Sequence, residues 1–213
     1  MQLASHEVHW WRVGLDVPRE ACTDLYAMLT RDERDRGGRL RFACDQRRFM
    51  VAHGALRDVL GRYLRTQPGD IRFVTNPFGK PELAPGFDGR FRFSLSHSAD
   101  LALIAIARDA DIGVDVEHIR ASPDYSDLAE HVFSAAEVDD LRRVPKHLYA
   151  EAFLRCWTKK EAGAKASGGG LAMPPPLRHG AWSFYPLQPA SGYVGTLAIE
   201  RNGWRLRQWQ WRA

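Results

Sequence analysis

Between Phe49 and Tyr63 the apolar residues Phe49, Ala52, Leu56, Val59, Leu60 and Tyr63 recur at steps of three and four, with arginines on the other faces. The spacing predicts an amphipathic helix over residues 45–64, a stripe that needs an apolar wall to pack on. Gln67-Pro68-Gly69 stops it. The next segments change period. Ile71–Thr75 reads as a strand before the turn-rich Asn76–Pro81, and Arg90–Ser94 alternates with Phe91, Phe93 and Leu95 on one side. Leu101–Ala107 is a seven-residue apolar run of buried-strand length. Ile112, Val114 and Val116 then alternate with Gly113, Asp115 and Glu117.

Helical signals return with Ser134-Ala135-Ala136-Glu137, whose capping-box spacing should open a helix through about Arg143. Leu148–Ala166 predicts a longer helix ending at Gly168-Gly169-Gly170, with Pro174-Pro175-Pro176 barring any continuation. Trp182–Pro186, Tyr193–Glu200 and Trp204–Trp211 read as strands with turns at Ser191-Gly192 and Asn202-Gly203, the latter a hairpin signal. Helices and strands mixed without regular alternation point to an α+β fold.

Composition narrows the function classes. A chain of 213 residues can bury a core without disulfides or metal staples, and no apolar run is long enough to span a bilayer. No basic segment followed by an apolar one opens the chain, so no secretory signal is expected. Cys22, Cys44 and Cys156 form no CxxC pair; they read as small buried hydrophobes in a reducing, cytoplasmic protein. The formal net charge is +4, but only five of the 30 basic residues are lysine: Lys80, Lys146, Lys159, Lys160 and Lys165. Three of those five fall between residues 159 and 165.

Three segments carry candidate chemistry. Asp115 and Glu117, two apart on a strand, project from one face roughly 7 Å apart at Cα. They could share magnesium or manganese, which favour oxygen ligands, or line a solvated strand edge. Trp157, Glu161 and Lys165 step by four along one helical face; the plainer alternative is a core tryptophan beside an ordinary Glu–Lys pair. Ser94-Leu95-Ser96-His97-Ser98 ends a predicted strand with hydroxyls around an imidazole, a pattern able to grip phosphate oxygens. No GxSxG elbow supports a serine nucleophile, and a surface turn is the remaining alternative. Together the segments hold the inventory of metal-assisted phosphoryl chemistry.

Five blocks in order, FGKPEL (78–83), FSLSHS (93–98), IGVDVE (112–117), FSAAE (133–137) and WTKKEAGAKASGGGL (157–171), make the chain resemble the Sfp-type 4′-phosphopantetheinyl transferases. The resemblance runs from about Arg31 to Leu171. It implies transfer of the phosphopantetheine arm of coenzyme A to a serine of an apo acyl or peptidyl carrier protein, releasing adenosine 3′,5′-bisphosphate. The implied fold is a pseudo-twofold pair of similar α+β subdomains, 1–110 and 111–213, with the active site in the cleft between them. A monomer is implied, with neither membrane nor nucleic acid as partner. Asp115, Glu117 and Glu161 would ligate magnesium, and Lys165 and Lys160 would contact the phosphates. Ser96 and His97 would hold the 3′-phosphate and ribose end with Lys80, and Arg36 and Arg48 would add basic nucleotide contacts. Glu161 would act as base, directly or through a metal-bound water, while Lys165 stabilises charge on the bridging oxygen and Asp115 completes the catalytic set. Two other readings stay open: a magnesium-dependent phosphatase or nuclease, and a nucleic-acid surface on the arginine-rich helix 45–64.

Overall fold

The computed structural model describes residues 1–120, 125–170 and 182–213. The chain lays down the same order of elements twice. Strand β1 (Glu7–Gly14) leads to short helices α1 (Arg19–Met28) and α2 (Arg31–Gly38), then the long helix α3 (Ala43–Leu64). A small ladder of β2 (Phe73–Thr75) and β3 (Pro81–Leu83) precedes β4 (Phe91–Ser98) and β5 (Leu101–Arg108). The second round runs β6 (Ile112–His118), α4 (Ser126–Val132), α5 (Ala135–Arg142), α6 (Lys146–Ser167), β7 (Trp182–Leu187) and β8 (Tyr193–Glu200). The sheets are ordered alike, β4-β5-β1 and β7-β8-β6, with every one of these neighbours antiparallel. The architecture is the expected α+β pair of like halves.

Local chemistry repeats as well. Helix α2 opens on a capping box of Thr30 and Glu33, and α5 on one of Ser134 and Glu137. Each box satisfies amide groups that the first turn would otherwise leave without partners. The long helices α3 and α6 both span 22 residues and both end on a left-handed residue, Arg65 and Gly168. Among the described residues, no helix is long and apolar enough to cross a membrane.

Two layers of core follow from the periodicities. The α3 stripe, including Ala52, Leu56, Val59 and Leu60, packs on Trp11 and Val13 of β1 and Ile104 and Ile106 of β5. The opposite faces of the two sheets meet each other: Val8, Trp10, Leu103 and Ala105 pack with Ile112, Val114, Leu197 and Ile199. Helix α6 lies on the second sheet through small side chains, Ala162 and Ala166 against Ala198. A Cβ on Gly113 of β6 would stand 2.1 Å from the Ala162 carbonyl oxygen and 2.4 Å from the Ala166 nitrogen. Only glycine admits so close an approach.

The structure departs from the sequence expectations at several points. Asn202-Gly203 makes no hairpin: strand β9 (Arg205–Gln210) leaves β8 and pairs parallel with β1 in the first sheet. The Trp211 amide and indole, bonded to the Arg12 carbonyl at 2.9 Å and Asp58 at 2.8 Å, anchor that return. Local turn propensity gave way to a better-paired tertiary partner. Cys44 is exposed, because it lies in the first turn of α3 ahead of the packed stripe; Cys22 and Cys156 are half-buried. Strand β4 runs on through Ser98, and buried Ile71 precedes β2 rather than forming part of it. The Pro174–Pro176 stop and Leu171 lie outside the described residues.

Buried Arg57, 1% exposed at its side chain, donates to Glu33 at 2.9 Å and to the carbonyls of Pro68 and Ile71, both at 2.9 Å. Burial alone would raise the Glu33 pKa, but His53, the Thr30 amide and Arg57 reverse the shift and hold it at about 2. A carboxyl depressed in the folded state stabilises the fold above its unfolded value and loses that contribution as pH falls. Chemical denaturation followed against pH should therefore show stability lost between about pH 4.5 and 2, on the order of 3 kcal/mol, and Glu33→Gln should flatten that limb. Gly113→Ala should cost about 1–3 kcal/mol, read as a lowered denaturation midpoint, because the atoms it meets are backbone.

Candidate active site

The two sheets do not pair where β4 passes β6; alternate serines bridge them instead. Ser94 Oγ accepts the Val114 amide at 3.0 Å, and Ser96 Oγ donates to Asp115 Oδ1 at 2.8 Å. Ser98 Oγ donates to Glu117 Oε2 at 2.7 Å and accepts the His118 amide at 3.2 Å. The period-two placement of Ser94, Ser96 and Ser98 sends all three hydroxyls to one face of β4, while Phe91, Phe93 and Leu95 join the α3 core on the other. The solvated-edge alternative for Asp115 is thereby set aside, since Asp115 is only 3% exposed.

Helix α6 completes the cluster. The close approach at Gly113 sets Lys165 Nζ 2.6 Å from Asp115 Oδ1 and 3.0 Å from Ser96 Oγ. Asp115 Oδ2 is buried and has no hydrogen-bond partner. Burial raises the pKa of Glu161; Asp115 and Glu117 push it further while Lys165 opposes. Glu117 is raised too, first by burial and then by Asp115, with Ser98 holding it back. Three carboxylates thus repel one another around a single ammonium group. Among the described residues, no three His, Cys, Asp or Glu side chains stand close enough to hold a metal ion as they are arranged. Their chemistry nevertheless fits one: all donors are oxygen, and a buried carboxylate oxygen without a partner is costly unless something charged meets it.

Beside the cluster opens a cavity of about 740 Å³, walled by both halves of the chain. Glu161 and Lys165 reach it from α6, His97 from β4, Lys80 from the turn before β3, and Arg36 from α2. Other expected site residues are directed elsewhere. Ser96 is buried beneath the cavity wall on Asp115. Lys160 donates to the Val132 carbonyl and lies over the Phe133 ring. Arg48 pairs with Asp16 at 3.1 Å, outside the cavity lining. Lys80 Nζ donates to the Ala166 carbonyl at 2.8 Å, and Asn76 Nδ2 to the Gly168 carbonyl at 3.1 Å. The Asn76–Lys80 turn therefore clasps the C-terminus of α6, and burial lowers the Lys80 pKa.

Sequence reasoning passed over Ser94 and Ser98 as bridging groups, although the spacing of the three serines was visible. It also passed over Asn76 and His53, which no local pattern marks. The arginines of α3 read differently in place: Arg47, Arg48, Arg57 and Arg62 are all paired with acids, and half of the helix's 22 residues are buried. That arrangement suits a core helix better than a nucleic-acid surface.

Comparison with known proteins bears on the same two halves. The family model described as "4′-phosphopantetheinyl transferase superfamily" matches residues 111–211, and that described as "4′-phosphopantetheinyl transferase, N-terminal" matches residues 18–109. The chain is 37% identical to 4′-phosphopantetheinyl transferase HetI of Nostoc sp. over 225 aligned residues, covering 99% of this chain and 95% of that protein. It is 31% identical to 4′-phosphopantetheinyl transferase psf-1 of Bacillus pumilus, covering 72% of this chain and 64% of that one. With 4′-phosphopantetheinyl transferase Sfp of Bacillus subtilis the identity is 28%, over 70% of this chain and 64% of that one. With like halves meeting at an acidic, lysine-bearing cleft, and with HetI matching over 99% of its length at 37% identity, this chain belongs to the 4′-phosphopantetheinyl transferase family.

Proposed function

We propose that this chain transfers the 4′-phosphopantetheine group of coenzyme A to a serine hydroxyl of an apo acyl or peptidyl carrier protein. The observation that carries the reading is the meeting of Asp115, Glu161 and Lys165 at the wall of a cavity lined by both halves. A cavity of about 740 Å³ lies within the range that holds a cofactor-sized ligand. Lys165 and Arg36 give it a cationic lining, and His97 adds an imidazole donor, a set suited to the phosphates of coenzyme A.

The chemistry is nucleophilic displacement at the β-phosphorus. The carrier serine Oγ forms the new O–P bond, the bond to the bridging oxygen breaks, and adenosine 3′,5′-bisphosphate leaves. Glu161, its pKa raised by burial and by its acidic neighbours, is the group to take the serine proton, since a base works best when its pKa approaches the working pH. Lys165 is held by Asp115 and Ser96 so that a fixed positive charge meets the negative charge developing on the bridging oxygen. Ser96 and Ser98 act through the carboxylates they orient, as positioning residues. When magnesium or manganese is bound, Asp115, Glu117 and Glu161 would hold it, and it would supply Lewis-acid neutralisation of the pyrophosphate. His97 is exposed on the cleft wall; the desolvation of its ring there, and then His53 and Lys165, lower its pKa, and it belongs to the nucleotide end. Acidic carrier domains and a monomeric, cytoplasmic enzyme divided near residue 110 complete the reading.

Incubation with coenzyme A and an apo carrier protein, scored by the mass gain of the carrier, tests it directly. Glu161→Gln and Asp115→Ala should each cut loading by about 10²-fold or more, as should Lys165→Ala. Lys160→Ala should stay near the wild-type rate, because its ammonium lies on the Val132 carbonyl. Near-normal turnover in the Glu161 variant would remove the assignment of the base. Chelation of divalent metal should stop loading, and added magnesium should restore it; full turnover in chelator would remove the metal from the scheme.

A further inference from the structure

Glu117 is the site carboxylate whose place rests on a single hydroxyl. Asp115 is met by both Lys165 and Ser96. Glu117, among the described residues, forms no ion pair and accepts only from Ser98 Oγ, at 2.7 Å. That same oxygen accepts the His118 amide at 3.2 Å, so Ser98 is itself fixed by the second half of the chain. Ser98 is the last residue of β4, and its partner across the ladder is Leu101, which leaves Ala99 and Asp100 to make the whole turn into β5. Ala99 is left-handed there, at φ 50°, a conformation that a residue bearing a side chain keeps only where its surroundings enforce it.

Tyr193 supplies much of that enforcement. Its hydroxyl donates to Asp100 Oδ1, while the Leu15 amide donates to the Asp100 carbonyl at 2.8 Å. Tyr193 opens β8 directly opposite His118 and is 6% exposed. Its ring packs in the core between the sheets with Leu101 and Val116, and its centroid lies 4.8 Å from that of His118. Burial raises the Tyr193 pKa and the bond to Asp100 raises it further, to about 12, so the phenol keeps its proton and remains a donor. The turn is thus tied to the second half at both ends, Ser98 to β6 and Asp100 to β8. The transfer chemistry above gives neither Tyr193 nor Asp100 a task.

We propose that Tyr193 and Asp100 are a positioning pair, whose hydrogen bond between the two halves sets the turn so that Ser98 presents Glu117 to a divalent cation. They act through Ser98 and touch neither substrate nor metal. The inference rests on the metal-assisted transfer reading, and its test is chosen so that the two can fail separately.

Manganese titrated into the whole chain, with and without coenzyme A, and followed by loss of the free ion's paramagnetic resonance signal, reports on Glu117 without turnover. Tyr193→Phe keeps the ring and removes only the donor; it should weaken manganese binding about three- to tenfold. Asp100→Ala, at an exposed position, should match it and serves alone should the tyrosine variant not fold. Asp100→Asn keeps an oxygen acceptor and should restore most of the affinity. The double variant of Tyr193→Phe and Asp100→Ala should be no weaker than either single one, since the same bond is lost in all three. Tyr63→Phe removes an equally buried hydroxyl from the α3 core and should leave manganese binding unchanged. Wild-type affinity in both single variants, additive losses in the double one, or equal weakening by Tyr63→Phe overturns the proposal. So does a wild-type chain that takes up no manganese in either condition. Selective weakening in a chain that loads no carrier would sink the transfer reading and leave the pair standing. Metal-dependent loading with unaltered manganese binding in the variants would do the reverse.

Discussion

The seam between β4 and β6 is the constraint on which the rest depends. Two sheets of identical strand order meet there without main-chain pairing, and the hydroxyls of Ser94, Ser96 and Ser98 take over the bridging. Hydroxyls suit this place because each can donate to a carboxylate and accept an amide at once. The same bonds make a buried aspartate tolerable: Asp115 Oδ1 receives Ser96 and Lys165, so its charge is met by a hydroxyl and an ammonium rather than left alone. A surface strand would need neither.

Helix α6 comes within reach of that seam because residues on its sheet-facing side are small. Gly113 below and Ala162 and Ala166 above let backbone approach backbone, and the neighbouring positions 161 and 165 are thereby carried to Asp115. The Asn76–Lys80 turn fixes the other end of the same register, capping the helix carbonyls from the first half of the chain. Lys80 is thus held by helix carbonyls, and its side chain bears on the cavity from its wall. Packing, capping and charge placement are here one arrangement.

Much of the fold was legible locally. The helix of residues 43–64, the apolar strand at Leu101–Arg108 and the alternation around Asp115 follow from period and composition, because burial of a stripe or a face leaves its spacing in the chain. The duplication was also written there, in Thr30 to Glu33 and Ser134 to Glu137 ahead of two equally long helices, but so short a signature has no statistical weight without the sheets to confirm it. The hairpin expected at Asn202-Gly203 failed for the opposite reason. A turn motif reports local preference, and β9 gained a parallel partner in β1 far away in the chain. His53 and Asn76 left no trace in pattern, since their roles depend on residues brought near only by folding.

By itself the sequence determined the element types and the residue kinds available to the site: acids two apart on a strand, an acid and a lysine four apart on a helix, and serines at period two. Tertiary structure decided which of them meet. Lys165 reaches Asp115 while Lys160 turns to a helix carbonyl, and Arg36 stays open to the cavity while Arg48 is neutralised by Asp16. The reason is geometric. Residues adjacent in a helix point about 100° apart, and only the packing of α6 against Gly113 selects the direction that faces the seam.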